Sequence, residues 1–280
     1  MTRMARMDVA LKLCAALAAL SGAVFAGTPV LAADLGTPVG PPTIAQVAAA
    51  GWYVRGDIGG QMLAQDRGYW WGPGGPPSDP RITFSLDRPM GVTGDVGIGY
   101  DWMNGFRSDL TFTLNGSMDV TASFLSASDG SPSTGHVQSI TTSVSSQVML
   151  ANLYFEPLKA TGNDNPIQPF LTGGIGAANV SMGEWTRYNP SDSRVYRTFE
   201  GASQLNLAWS VGAGVSFALS DVIGGHPAML DVTHRFSNLG NVAGSSTPLP
   251  GNGNGDPYEP LNFDYTAHAV TLGLRIPIGG

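Results

Sequence analysis

The sequence predicts an all-β chain, an eight-stranded antiparallel up-and-down transmembrane β-barrel. Three observations predict it. Apolar and polar residues alternate with period two in eight separate segments. The chain holds 38 glycines and only 12% charged residues beside 42% hydrophobic ones, a composition of strands and turns rather than of solvated helices. The connections between the segments alternate between long and short, as an up-and-down barrel requires.

Positions 1–32 are expected to be a signal peptide. Arg3, Arg6 and Lys12 precede an apolar run over 13–26, and Val30-Leu31-Ala32 supplies small residues for cleavage before Ala33 or Asp34. The run is short for a spanning helix, and Gly27-Thr28-Pro29 breaks it. Cys14, the single cysteine, falls inside it, so neither disulfides nor a cysteine metal site is expected in the mature chain. Positions 33–50 are a proline-containing periplasmic lead-in, and the barrel is expected over 51–280.

The first strand sets Trp52, Val54, Ile58 and Met62 against Tyr53, Arg55, Asp57 and Gln61. The second sets Val92, Val96, Ile98, Tyr100 and Trp102 against Thr93, Asp95, Gly97, Gly99 and Asp101. The third opposes Phe106, Leu110, Phe112 and Leu114 to Arg107, Asp109, Thr111, Thr113 and Asn115. The fourth opposes Met149, Ala151, Leu153 and Phe155 to Gln147, Asn152 and Tyr154, with Val148 and Leu150 blurring the pattern. The fifth places Leu171, Ile175 and Ala177 opposite Thr172, Gly174 and Gly176. The sixth is the cleanest, alternating from Leu205 to Phe217. The seventh sets Leu230, Val232, His234 and Phe236 against Asp231, Thr233 and Arg235, and the last sets Val270, Leu272, Leu274 and Ile276 against Thr271, Gly273 and Arg275. Each is long enough for the roughly 9–11 tilted residues that cross a bilayer. Met103-Asn104-Gly105, 159–166 and 220–225 are short turns; 65–89, 119–138, 183–201 and 238–261 are long loops.

The competing architecture is a soluble sandwich or lipocalin-like barrel, which alternates in the same way. The two differ in which face is apolar. Here the polar face is built of Gly, Thr, Ser, Asn, Asp and Arg, the lining of a wet lumen. Trp52 and Trp102 toward one rim, and Trp70, Trp71 and Trp185 toward the other, read as interfacial aromatics.

The segments "GWYVRGDIGG", "GDVGIGYDWMNGFRSDLTF", "PFLTGGIGAANV", "LAWSVGAGVSFALS" and "HAVTLGLRIPI" resemble the small outer-membrane β-barrel family of Gram-negative surface antigens and porin-like proteins, related to the OmpA-type transmembrane domain. The resemblance implies outer-membrane localisation, periplasmic short turns, outward long loops and no catalytic residues. It implies as partners outer-membrane lipid, lipopolysaccharide, the outer-membrane assembly machinery and host surface ligands. Such barrels usually end in an aromatic residue; this sequence ends Ile276-Pro277-Ile278-Gly279-Gly280.

The Arg55-Gly56-Asp57 triplet belongs to the polar face, so it is expected to enter an internal ion-pair network with Asp95, Arg107, Asp109, Asp231, Arg235 and Arg275, and not to act as an adhesion ligand. "THRFSNLG" superficially matches the His-x-Ser-Asn stretch of deacylating barrels, but His234 and Ser237, three apart on a strand, fall on opposite faces. No cofactor or metal is expected, since His136, His226 and His268 are scattered, and the acidic net charge of −7 argues against nucleic acid. Arg187, Tyr188, Arg194 and Arg197 are candidate loop contacts for a ligand. The expected function is that of a structural surface protein or antigen with four exposed loops. A narrow porin and a glycan-binding adhesin stand as alternatives.

Overall fold

The computed structural model describes residues 51–131, 139–163, 165–189, 191, 193–223, 226–250 and 256–278. The expected signal and lead-in lie outside them. The fold described below belongs to the compact unit covering 47–280.

Among the described residues twelve strands make one antiparallel sheet: β1 (Trp52–Leu63), β2 (Arg67–Trp71), β3 (Arg81–Leu86), β4 (Met90–Asp101), β5 (Phe106–Ala127), β6 (Ser139–Phe155), β7 (Ile167–Met182), β8 (Trp185–Tyr188), β9 (Val195–Phe199), β10 (Ala202–Ile223), β11 (His226–Ala243) and β12 (Glu259–Pro277). Eight of them close a barrel in the order β1-β4-β5-β6-β7-β10-β11-β12, and β12 returns to β1 with Arg55 opposite Arg275 and Ile58 opposite Leu272. Closure leaves these strands without an open edge. The turn end carries the connections that follow β4 and β6 and both ends of the described barrel, joined where the Ile278 amide donates to the Trp52 carbonyl.

The long connections are not loose loops. Hairpin β2–β3 rises from the ends of β1 and β4 and continues the wall between β12 and β5. Hairpin β8–β9 rises from β7 and β10; β8 pairs with β6, and β9 pairs with 245–249 through Glu200, Thr198, Thr247 and Leu249. Gly244 donates to Leu261 and completes the ring at β12. A second tier therefore stands on the first. The expected loop boundaries are corrected accordingly: β5 runs to Ala127, β11 to Ala243, and β12 begins at Glu259.

The two tiers have opposite polarity. In the turn-end tier apolar residues face out: Ile58 is 70% exposed, Leu110 49% and Leu205 78%, with Val92, Val96, Leu153, Leu171 and Ile175 on the same surface. Polar residues face in. In the second tier Met118, Val120, Ile140, Val144, Val180, Leu261 and Phe263 are buried inside, while Ser123, Thr141, Ser203 and Asp264 face out. The wet lumen expected along the whole barrel is thus confined to its turn-end half. Val148 and Leu150, which blurred the fourth strand, face inward at the base of the apolar core, and Gln147 shares the outward face with Met149. Burial of each such side chain is worth about 1.5–3 kcal/mol, and that drive exists only where the surroundings are water.

Two β-bulges mark the change. Asn115 pairs with Ser146 and Met118 with Val144, so β5 holds one extra residue. Asn238 pairs with Thr266 and Asn241 with Asp264, so β11 does too, with Gly240 at φ +82. A bulge resets which residue parity faces inward. It brings Met118 and Val120 inside after the inward run Arg107 to Asn115.

Polarity inversion within a single strand gives a direct test. Leu110→Arg, in the middle of the outward run of β5, is expected to cost about 2–4 kcal/mol. Ser123→Arg, outward on the same strand but in the second tier, is expected to stay within about 0.5 kcal/mol. Urea unfolding in lipid vesicles, followed by heat-modifiable gel mobility, measures both.

Candidate functional site: a charged lumen under an apolar plug

Alternation turns Tyr53, Arg55 and Asp57 of β1 into the lumen, where they meet inward residues of five other strands. Arg55 lies at the centre of one cluster. Its Nε donates to Asp57 Oδ2 at 2.7 Å and its Nη1 to Tyr154 Oη at 2.6 Å, and Nη1 lies 3.2 Å from Asp109 Oδ2. Asp109 also accepts from Tyr53 at 3.2 Å and from Asn152 at 2.8 Å. The Arg-Gly-Asp triplet is therefore enclosed and pairs with itself.

A second cluster lies nearer the turns. Arg107, fully buried, pairs with Glu156 at 2.9 Å and with Asp231 at 3.4 Å. Arg275 approaches Asp231 at 3.4 Å and donates to Ser216 at 3.3 Å. Lys159, on the single helical turn Pro157–Ala160, reaches Asp101 at 2.6 Å and Glu156 at 3.7 Å and closes the rim. Tyr154 joins the clusters: Arg107 stacks on its ring at 3.9 Å, while Arg55 and Arg235 donate to its hydroxyl. Glycines make room for these groups. A Cβ on Gly273 would occupy the place of the Asp57 carboxylate, and one on Gly99 would meet the Tyr53 ring.

Two residues expected in ion pairs stand differently. Arg235 donates to Asn152 at 2.9 Å, Ser210 at 3.3 Å and Tyr154 at 3.4 Å, and among the described residues makes no ion pair. Asp95 stands directly across the β1–β4 pair from Asp57, carboxyl beside carboxyl, and likewise makes no ion pair among the described residues. It lines a cavity of about 50 Å³ with Arg55, Gln61 and Arg235, just beneath Val148, Leu150 and Leu239. The reason is register: Asp95 meets Asp57 across the strand pair, and Asp57 already holds Arg55. Alternation pointed to the Asp and Arg members. It did not single out Glu156 and Lys159, which lie past the end of β6, nor Tyr53, Tyr154 and Asn152, whose inward parity was the available signal.

The aromatic residues also divide. Trp52 and Trp102 are more than half exposed at the turn-end rim, each edge-on to Tyr100. Trp70 and Trp185 are buried and form no outer girdle. They sit on hairpin strands, where parity turns them into the second tier, and Trp185 stacks on Phe199 at 4.0 Å. Trp71 faces outward, its indole donating to the Asp79 carbonyl, with Tyr258 edge-on. Trp209 and Phe236 face outward within the apolar belt, beside the stacked His234–His268 pair. His234 thus faces out while Ser237 lines the internal cavity, so the two do not meet.

A closed barrel with an apolar outer belt, a charged interior and an aromatic rim is the form of a strand-spanning membrane protein. No family model matches the chain. A 29% identical uncharacterised protein of Brucella abortus aligns over 94% of this chain and 97% of its own length. A putative adhesin of Rickettsia bellii aligns at 24% identity over 81% and 88%. The outer membrane protein PagN of Salmonella typhimurium aligns at 28% identity over 59% and 65%. The protein is an outer-membrane β-barrel. Its spanning tier is the turn-end one, where the apolar residues face out, and its second tier turns polar residues outward.

Removing one partner of the buried network exposes its worth. Asp231→Asn takes from Arg107 and Arg275 one of their two shared carboxylates, leaving Glu156 at 2.9 and 3.9 Å, and is expected to cost about 3 kcal/mol. Arg81→Gln breaks a half-exposed bidentate pair with Glu259 at 2.6 and 2.8 Å, and is expected to cost under about 1 kcal/mol. Burial raises the Glu259 carboxyl, but hydrogen bonds from Arg81 and Asn262 outweigh it and hold it below its ordinary range. That clamp stabilises the tier above about pH 4.3, the ordinary glutamate value, and is lost as pH falls through the lowered one. Urea midpoints at pH 7 and pH 3 compare the three cases.

Proposed function

We propose that this barrel is a non-conducting surface protein whose working part is the second tier. The spanning tier anchors it in outer-membrane lipid and lipopolysaccharide after insertion by the assembly machinery, and the tier above presents a ligand-contacting surface to the exterior. The observation that carries this reading is the double seal. Ion pairs cross the lumen of the spanning tier, and above them a contiguous apolar core containing Leu63, Phe84, Val180 and Tyr265 fills the interior. A conducting path would have to break both. The name of the Rickettsia relative, a putative adhesin, is consistent with a role in surface contact. The reading assigns no catalytic role, and the opposed faces of His234 and Ser237 agree with it.

Two measurements test the proposal. Purified protein in planar bilayers is expected to give no steady single-channel openings; reproducible openings would return the narrow-porin reading. Protease added to intact cells is expected to leave the spanning strands whole and to cut only at the tips of the second tier. Periplasmic protection of those tips would reverse the orientation and remove the surface role.

A further inference from the structure

We propose that two copies of this barrel associate side by side in the membrane through a patch centred on His234 and His268. On the outward strand faces of the turn-end tier the described side chains include no Asp, Glu, Lys or Arg. The imidazoles there are those of His234 on β11 and His268 on β12. They stack on each other, with ring centres 5.4 Å apart and planes inclined by 13°. Phe236 lies 5.1 Å from His268, and Trp209 lies 5.8 Å from Phe236. One row of rings thus crosses three strands, and exposed Val211, Val232 and Leu272 flank it on the same strands.

A neutral imidazole carries one N–H donor and one acceptor nitrogen. Among the described residues neither histidine has a hydrogen-bond partner. Register gives the reason. Ala213 and Val270 stand across from His234, and Phe236 and Met62 stand across from His268; none of the four offers a strong donor or acceptor. Lipid tails offer none either, and a polar group left bare in hydrocarbon is costly. Ionisable groups within a membrane are rare and pair with one another. A second copy supplies that pairing, because it carries the same imidazoles at the same depth. A twofold axis along the membrane normal sets the two patches face to face, a self-complementary contact in which imidazoles can both donate and accept. The flanking rings and aliphatic side chains supply the close packing that holds spanning segments together in lipid. The contact involves the spanning tier alone, whichever way the second tier faces.

Sedimentation equilibrium of the protein in density-matched detergent micelles is expected to give a monomer–dimer equilibrium. His234→Leu and His268→Leu are each expected to lower its association constant by about fivefold or more, as loss of a polar contact between spanning segments requires. Leucine suits a lipid-facing position, so both variants are expected to keep heat-modifiable mobility. Thiol cross-linking in lipid vesicles, with both histidines in place, locates the contact independently. Val270→Cys, across the strand pair from His234, is expected to give covalent dimers above the background of the parent protein. Leu110→Cys, outward on β5 at the opposite side of the barrel, is expected to give none. A monomer at every protein concentration, dimers that both leucine variants leave intact, or equal cross-linking at positions 110 and 270 would overturn the contact.

Discussion

An eight-stranded barrel encloses a lumen barely wide enough for side chains, so whatever its strands turn inward must fill that space and satisfy itself there. The rest of this structure follows from that constraint. In the spanning tier the outside is lipid, apolar groups gain nothing by turning inward, and the interior becomes the place for charge. Arg55, Arg107 and Arg275 then need Asp57, Asp109, Asp231 and Glu156 within reach, because an unpaired charge in that enclosure costs several kcal/mol. Tyrosines and glycines complete the fit, the tyrosines as stacking and hydrogen-bonding bridges and the glycines as space.

Above the lipid border the medium changes and so does the filling. Water outside restores the ordinary rule, and the same strands now bury Met118, Val144, Val180 and Phe263 and show Ser123 and Thr141. The bulges in β5 and β11 are the local devices that allow one strand to follow both rules. The two hairpins extend the wall without adding strands to the spanning barrel. This division gives the protein a tier filled by ion pairs and a tier filled by an apolar core. The lumen and the exterior surface are therefore separate chemical problems, and the ion pairs serve the fold.

Legibility tracked periodicity. The eight spanning strands and the inward set Arg55, Asp57, Arg107, Asp109, Asp231 and Arg275 stand out because a period of two survives unbroken between rims. Alternation loses its phase near Asn115 and Ser237 because each strand carries a one-residue bulge there, and polar residues on the outside of water-facing strands look like loop composition. The sequence alone does not turn Trp70 and Trp185 inward, because tryptophans among prolines and glycines give no parity until the hairpin pairing is known. Glu156 and Lys159 follow the end of a strand, where alternation carries no information about a side chain folding back over the rim.

The sequence by itself determined the class of structure, the strands that cross the membrane and the face each presents, since those depend on local alternation and on composition. Tertiary structure alone decided which charges meet, that Asp95 stands beside a carboxyl while Arg235 bonds to neutral groups, and that the presumed loops close a second, oppositely polarised ring. Those outcomes depend on register between strands distant in the chain, such as β1 with β12 and β5 with β6. Register is set by the simultaneous filling of one enclosed space, which no single segment specifies.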